Sequence, residues 1–221
     1  MAIRAFLFDF DGLIVDTELP SRAGWEWLYR RYGHELPRDR WATVVGTIGA
    51  EFDPMAHLEE LVGSPLERDV LNEERYAHEL SLLDAEELRP GIAEYLAEAR
   101  RRRLKRAIVS SSSRRWVDSH LARLEEEVGW DAIVTADLDA SRAKPRPDLY
   151  LEALELLDVE AAEAIAFEDS PNGVRAARAA GIFCFAVPNE VTRDLDLHEA
   201  DVLVPSLADL RPAGLLARFD R

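Results

Sequence analysis

Short apolar runs recur along the chain, and segments with helical periodicity separate most of them. The first run, Ile3 to Phe8, ends at a pair of acids, which is typical of a buried strand whose carboxyl end carries polar groups. Similar runs follow at 107–109, 132–134, 164–167, 183–187 and 202–204. Alternation of such strands with helices predicts an α/β fold built on a parallel sheet.

The segments between the runs carry the marks of amphipathic crossover helices. One stripe of apolar positions contains Val117, Leu121, Leu124 and Val128, and another contains Tyr150, Leu154 and Leu157. Ser170-Pro171 predicts a helix start directly after Asp169, and Gly181 suits the end of that helix.

Residues 16–88 break the alternation. They offer helical stripes, such as Trp25, Leu28, Tyr29 and Tyr32, but no convincing buried strand. We therefore predict a helical cap, 16–88, inserted into a core formed by 1–15 and 89–221, with linkers near 14–18 and 86–91. Trp25 and Trp41 fall in this insertion, where they either pack in its interior or line a substrate pocket.

The charge of the chain narrows the classes of partner. A formal net charge of −16 at pH 7 repels DNA and RNA, and the basic run Arg100–Arg103 suits the carboxyl end of a helix. No apolar run approaches the roughly 18 residues that span a bilayer, and a secretory leader pattern is missing after Met1. We expect no nucleic-acid partner, no membrane span and a cytoplasmic location.

Asp9 and Asp11 are the first candidate catalytic residues, because both follow the first predicted strand and Gly12 then turns the chain. A carboxylate can attack phosphorus and form an aspartyl phosphate, which is the role that we predict for Asp9. A second acid beside it can protonate the leaving alcohol and then deprotonate water, so we assign Asp11 as general acid and base.

Two further segments offer groups that bind phosphate. Ser110 to Ser113 follow the second predicted strand, where the hydroxyls of Ser111 and Ser112 and the nearby backbone N–H groups can hold phosphate oxygens. Lys144 lies in the proline-stiffened loop Lys144-Pro145-Arg146-Pro147, and its ammonium would offset the repulsion between a phosphate and Asp9.

Glu168 and Asp169 form the fourth segment, between an apolar strand and the predicted helix start at Ser170. Clustered acids repel one another and favour a bound cation. Hard oxygen ligands with no histidine or cysteine nearby favour Mg2+, so we predict Mg2+ as the cofactor.

Together these motifs resemble the haloacid dehalogenase superfamily, in its β-phosphoglucomutase-like and phosphoglycolate phosphatase-like branch. The pieces that carry the resemblance are Phe-Asp-Phe-Asp-Gly-Leu-Ile-Val-Asp-Thr-Glu at 8–18, Lys-Pro-Arg-Pro-Asp at 144–148 and Glu-Asp-Ser-Pro-Asn-Gly at 168–173. The resemblance covers essentially the whole chain. It implies a Rossmann-like three-layer core under a mobile helical cap, and a phosphatase of a small phosphorylated metabolite, for instance a sugar phosphate.

The resemblance also implies individual roles. Asp9 and Asp169 would bind Mg2+ through their side chains and Asp11 through its backbone carbonyl, with Glu168 in support, while Ser111 and Lys144 would hold the transferring phosphate. Asp16 and Thr17 match the family at the hinge of the cap, and Gly46 lies in the cap segment that faces the substrate in relatives.

Two departures weaken an alternative function, that of a phosphosugar mutase. Ser21 stands where such relatives often carry histidine, and 45–49 lack the arginine that anchors a second phosphate in mutases. Arg114 and Arg115 remain candidates for a distal phosphate. A non-catalytic metabolite-binding regulator is a third alternative, and the oligomeric state is expected to be monomeric or weakly dimeric.

Overall fold

The structure is a computed structural model that describes residues 2–41, 44, 52–83, 87–124, 129–137 and 139–219. Six parallel strands form one sheet in the order β3-β2-β1-β4-β5-β6. Their bounds are β1 Ala5–Phe8, β2 Lys105–Ser110, β3 Ala132–Thr135, β4 Ala164–Glu168, β5 Phe183–Ala186 and β6 Val202–Leu203. The six predicted strands and the α/β class are thereby confirmed.

Strand β1 lies at the centre of the sheet, between β2 and β4. Its last residue, Phe8, is in register with Ile108 of β2 and Phe167 of β4. Because all three strands run parallel, the residues that follow them leave the sheet at one edge. The acids and serines identified as candidates from the sequence lie at this edge.

Helices cover both faces of the sheet. Alternate residues of β1 point to opposite faces, so that Leu7 joins one hydrophobic cluster and Phe6 and Phe8 join the other. Helices α7 and α8 contribute to the first cluster, and α5, α6 and α9 contribute to the second. These helices are α5 Ile92–Arg102, α6 Arg114–Leu121, α7 Asp148–Leu157, α8 Pro171–Ala179 and α9 Pro212–Leu216. The result is the predicted three-layer arrangement.

Between β1 and α5, the described residues form four helices: α1 Glu18–Arg31, α2 Arg38–Trp41, α3 Pro54–Val62 and α4 Arg68–Leu83. They share a hydrophobic cluster of their own, whose buried members include Leu28, Tyr29, Trp41 and Leu58, and Trp25 packs against it. Trp41 is therefore an interior residue of this helical segment. Gly46, the rest of 45–49 and Val128 lie outside the described residues.

Two crossings connect the helical segment to the sheet. Val15 pairs with Leu88 in an isolated antiparallel bridge, and the backbone N–H of Arg89 donates to the Ile14 carbonyl at 2.9 Å. The guanidinium of Arg89 donates to the carbonyl oxygens of Gly12 and Pro188. These bonds hold the two crossings side by side, next to the edge where the strands end. Across the part of the chain described here, every helix is too short or too polar to cross a membrane.

Candidate active site

The carboxyl ends of β1, β2 and β4 bring the predicted site residues together. Asp9 follows β1, Ser110 ends β2, and Glu168 and Asp169 lie at the end of β4. Lys144 reaches the same place from the loop that precedes α7. Segments that are far apart in the sequence thus meet around Asp9, as expected from the parallel topology.

Lys144 forms a buried ionic bridge between two of the acids. Its Nζ lies 2.6 Å from Oδ1 of Asp9 and 2.7 Å from Oε1 of Glu168. Burial alone would lower the pKa of Lys144, but the two adjacent carboxylates outweigh it and raise that pKa. The side chain is therefore a permanent cation beside Asp9.

Three carboxylates, those of Asp9, Glu168 and Asp169, are close enough to share a metal ion. One oxygen of each lies within 4.8 Å of the others, and all three residues are buried. Burial raises the pKa of Glu168 to about 7, and it also raises the pKa values of Asp9 and Asp169, each with a contribution from neighbouring carboxylates. Oε2 of Glu168 is buried without a hydrogen-bond partner. A hard divalent cation would offset the repulsion among the buried carboxylates and would give the unpartnered oxygen of Glu168 a cation to bind. This donor set therefore fits Mg2+.

Tyr150 and Gly173 hold Glu168 in place. The hydroxyl of Tyr150 donates to Oε1 of Glu168 from α7. Gly173 lies in the first turn of α8, and a Cβ on it would stand 1.8 Å from Oε2 of the same carboxylate. Glu168 thus fills the space that a side chain at 173 would need.

Asn189, on the loop after β5, orients Asp169. Its Nδ2 donates to Oδ2 of Asp169 at 2.8 Å and to the Gly12 carbonyl at 3.2 Å. Gly12 has a φ of +76°, and a Cβ there would lie 2.3 Å from the same Asp169 oxygen. Only glycine gives this turn both its backbone conformation and its room for the acid.

The carboxylate of Asp11 accepts four hydrogen bonds from side chains. Its Oδ1 accepts from Thr17 at 3.0 Å and from the indole Nε1 of Trp116 at 2.7 Å. Its Oδ2 accepts from Ser112 at 2.6 Å and from Ser110 at 3.2 Å. Asp11 therefore lies in a socket of hydroxyl and indole donors.

The remaining predicted residues lie around this socket or at its margin. Ser111 accepts a hydrogen bond from the backbone N–H of Lys144 at 3.2 Å, and Asp16 accepts one from Leu19 at 3.3 Å. Arg114 is exposed and pairs with Asp118 at 2.9 Å, and Arg115 is exposed beside it. The roles of these residues in binding phosphate or in moving the cap stay predictions.

Two acids of the helical segment also belong to the surroundings of the site, and sequence reasoning missed both. Burial raises the pKa of Glu18 to about 8, and the charges of Asp11 and Asp9 contribute. Glu79 on α4 is buried and pairs with Arg75, and burial raises its pKa as well. Glu18 had a signal, since it ends the motif at 8–18, whereas Glu79 had none.

Other residues were missed for different reasons. Tyr150 belongs to an apolar stripe of α7, and the acid that its hydroxyl contacts, Glu168, lies at the end of β4. Trp116 lies near a helix start, and its position in the sequence gives no sign of its contact with Asp11. Asn189 carried a usable signal, since it closely follows a predicted strand, the position shared by the other site residues.

Known proteins resemble the chain over nearly its full length. The model of the haloacid dehalogenase-like hydrolases matches residues 3–181. YhcW of Bacillus subtilis (strain 168) is 40% identical over 97% of this chain and 96% of its own length. The validoxylamine A 7'-phosphate phosphatase of Streptomyces hygroscopicus subsp. limoneus is 35% identical over 94% of this chain and 96% of its own.

Solved structures of similar proteins superpose on nearly the whole chain. The crystal structure of CbbY from Rhodobacter sphaeroides in complex with phosphate superposes with a TM-score of 0.76 at 31% identity, over 96% of this chain and 99% of that one. A mutant of the same protein, solved with xylulose-(1,5)bisphosphate, gives a TM-score of 0.75 at 30% identity over the same shares of both chains. The chain belongs to the family of haloacid dehalogenase-like hydrolases.

Proposed function

We propose that this protein is a Mg2+-dependent phosphatase that hydrolyses a small phosphorylated metabolite through an aspartyl-phosphate intermediate on Asp9. The observation that carries the proposal is the contact of Lys144 with Asp9 at 2.6 Å, in a buried site that also contains Glu168 and Asp169. A carboxylate beside a fixed cation can meet an anionic phosphate that it would otherwise repel.

Asp9 is the nucleophile. Its carboxylate oxygen attacks phosphorus, a P–O bond forms, and the bond from phosphorus to the substrate alcohol breaks. Lys144 balances the charge of the phosphoryl oxygens, and Ser111 is placed to bind one of them because its hydroxyl neighbours the Lys144 backbone. Hydrolysis of the acyl phosphate then releases phosphate and restores Asp9.

Asp11 is the general acid and base. It donates a proton to the leaving alcohol in the first step and takes one from the attacking water in the second. The hydroxyls and the indole around it fix its carboxylate, which favours directed proton transfer over exchange with bulk water.

Asp9, Glu168 and Asp169 would hold the Mg2+, with the Asp11 backbone carbonyl as the further ligand implied by the family. When bound, the ion would supply positive charge near the phosphoryl oxygens. Asn189 and Tyr150 orient two of the ligands through their hydrogen bonds.

We further propose that 16–88 act as a cap over a core of 1–15 and 89–221. Thr17 donates to Asp11, so the hinge at Asp16 and Thr17 is connected directly to the acid. Closure of such a cap excludes water from the phosphoryl group while the aspartyl phosphate forms. Gly46 would belong to the part of the cap that meets the substrate.

The relatives support a sugar phosphate or a related polyol phosphate as substrate. One is named for a validoxylamine phosphate, and CbbY was solved with a sugar bisphosphate. Arg114 and Arg115 are exposed at the start of α6 and are available to a distal anionic group.

Release of phosphate from 4-nitrophenyl phosphate in the presence of Mg2+ tests the proposal. We expect turnover that EDTA abolishes and that Asp9→Asn loses. Activity that survives either change would contradict it. A panel of phosphorylated sugars then separates the alternatives: a phosphatase releases phosphate, a mutase yields an isomeric sugar phosphate, and a regulator binds without turnover. The monomeric or weakly dimeric state and the cytoplasmic location stay predictions.

A further inference from the structure

Trp116 occupies a position that links Asp11 to the helical cap. It lies in the first turn of α6, and its indole Nε1 donates to Oδ1 of Asp11 at 2.7 Å. The indole also packs against α4 of the cap. The ring centroids of Tyr76 and Trp116 lie 6.1 Å apart, and the rings are tilted by 44° to each other. One side chain of the core thus contacts both the acid and the cap.

His120 fixes the orientation of the indole. The His120 ring centroid lies 4.1 Å from that of Trp116, one turn earlier in the same helix. The ring centroid of Phe10 lies 6.0 Å from that of His120. His120 is 4% exposed, and neither ring nitrogen has a hydrogen-bond partner. Burial lowers the pKa of His120, so the ring packs as a neutral, largely apolar group.

Of the four donors to Asp11, the indole is the most constrained. The hydroxyls of Ser110, Ser112 and Thr17 can rotate to other acceptors, whereas an indole N–H points along one direction in the plane of its ring. The contact between Trp116 and Tyr76 is also within the range of separations in which aromatic pairs attract.

We propose that Trp116 is a positioning residue that couples the cap to the general acid: its N–H sets the direction of the Asp11 carboxylate, and its ring is the surface against which Tyr76 of the cap packs. This inference rests on the proposed function, in which Asp11 protonates the leaving group. When the cap opens or closes, Tyr76 separates from the indole or packs against it, and the direction of the Asp11 carboxylate changes with that contact.

Leaving-group dependence provides the test. Phenyl phosphate and 4-nitrophenyl phosphate have rings of similar size, but phenolate is much the poorer leaving group and needs protonation by Asp11 more. We expect Trp116→Phe, which keeps an aromatic ring but removes the N–H, to lower kcat/KM for phenyl phosphate about tenfold more than for 4-nitrophenyl phosphate. A purely structural defect would lower both equally.

Matched variants complete the experiment. Trp130→Phe removes an indole that packs on Phe8 in the core, and it is expected to leave the ratio of the two kcat/KM values unchanged. Tyr76→Ala is expected to shift the ratio in the direction of Trp116→Phe, and Tyr76→Phe, which keeps the ring, is not. Tyr76 is 41% exposed, so its variants test the coupling even where Trp116→Phe fails to fold.

The outcomes separate this inference from the function beneath it. An unchanged ratio in Trp116→Phe, with an inactive Asp9→Asn, overturns the role of Trp116 alone. A shifted ratio in Trp116→Phe but not in Tyr76→Ala overturns the coupling to the cap. Lack of hydrolysis of both esters by the wild type, or full activity in Asp9→Asn, overturns the proposed function itself.

Discussion

Lys144 contacts Asp9 with a separation of 2.6 Å between Nζ and Oδ1, although the two residues lie 135 positions apart in the sequence. Both side chains are almost fully buried. A buried pair of this kind is costly to break, because the remaining charge keeps its desolvation penalty without its partner.

Replacing this cation is therefore expected to damage both stability and rate. Lys144→Met leaves Asp9 and Glu168 unpaired, so the free energy of unfolding in EDTA should fall by roughly 3–5 kcal/mol. Urea denaturation measures this change. The kcat should fall by about 100- to 1,000-fold, since a fixed positive charge at the phosphoryl group is lost.

The chain offers its only other lysine as the control. Lys105 is exposed and pairs with Asp131 at 3.3 Å, so Lys105→Met should cost less than about 1 kcal/mol and leave kcat unchanged. Equal losses of stability and kcat in the two variants would show that the buried bridge contributes no more than the exposed ion pair.

Tyr150 should control the affinity for Mg2+ without contacting the ion. In Tyr150→Phe, Glu168 loses the hydroxyl that orients it, so the Mg2+ concentration for half-maximal activity should rise about tenfold. Tyr95→Phe is the control, because the Tyr95 hydroxyl donates to the Leu210 carbonyl at 2.7 Å, away from the site. It should cost about 1 kcal/mol of stability and leave the Mg2+ dependence unchanged. The hypothesis fails when both variants require the same Mg2+ concentration as the wild type.

Gly173 is predicted to tolerate no side chain. In Gly173→Ala the new methyl would overlap the Glu168 carboxylate, so either Glu168 or the start of α8 must move. We expect a loss of roughly 1–3 kcal/mol in the free energy of unfolding and loss of most Mg2+-dependent activity. Gly214→Ala in α9 is the control, since a Cβ there meets open space. That variant should be neutral or more stable, by up to about 1 kcal/mol, and a wild-type level of activity in Gly173→Ala would refute the steric argument.

Glu18 should make the stability of the metal-free protein depend on pH. Its pKa is about 8 in the folded protein, against 4.5 for the free side chain. Between these values the folded state holds a proton that the unfolded state has lost, so stability falls as pH rises through that window. In EDTA, the Tm of Glu18→Gln minus that of the wild type should therefore become more positive as the pH increases from about 5 to about 8. Above about pH 8 this difference should stay constant.

An exposed glutamate on α4 serves as the control for this measurement. Glu73→Gln is expected to change Tm by the same amount at each pH. A constant difference between Glu18→Gln and the wild type across the window would contradict the raised pKa of Glu18.

Much of the fold was predictable because each strand is a short apolar run with a polar boundary. The convergence of Asp9, Lys144 and Asp169 was predictable for the same reason, since residues at the carboxyl ends of parallel strands meet. The helical nature of the described residues between Glu18 and Leu83 followed from the periodicity of their apolar positions.

The supporting contacts were not predictable, because each depends on the relative placement of two elements. Tyr150 lies within an apolar stripe of α7, and only the packing of α7 against β4 brings its hydroxyl to Glu168. Trp116 similarly needs the end of β1 beside α6 before its N–H can meet Asp11. Periodicity identifies the face of a helix that is buried, but not the atom that it meets.

The central position of β1 has a consequence for synthesis on the ribosome. The strand that leads into Asp9 is translated first. Its partner β4, which ends in Glu168 and leads into Asp169, follows more than 150 residues later. Until β4 inserts, Asp9 lacks the neighbouring carboxylates of Glu168 and Asp169, and Lys144 lacks one of its two partners. The candidate site is therefore complete only after the longest-range pairing among the described strands has formed.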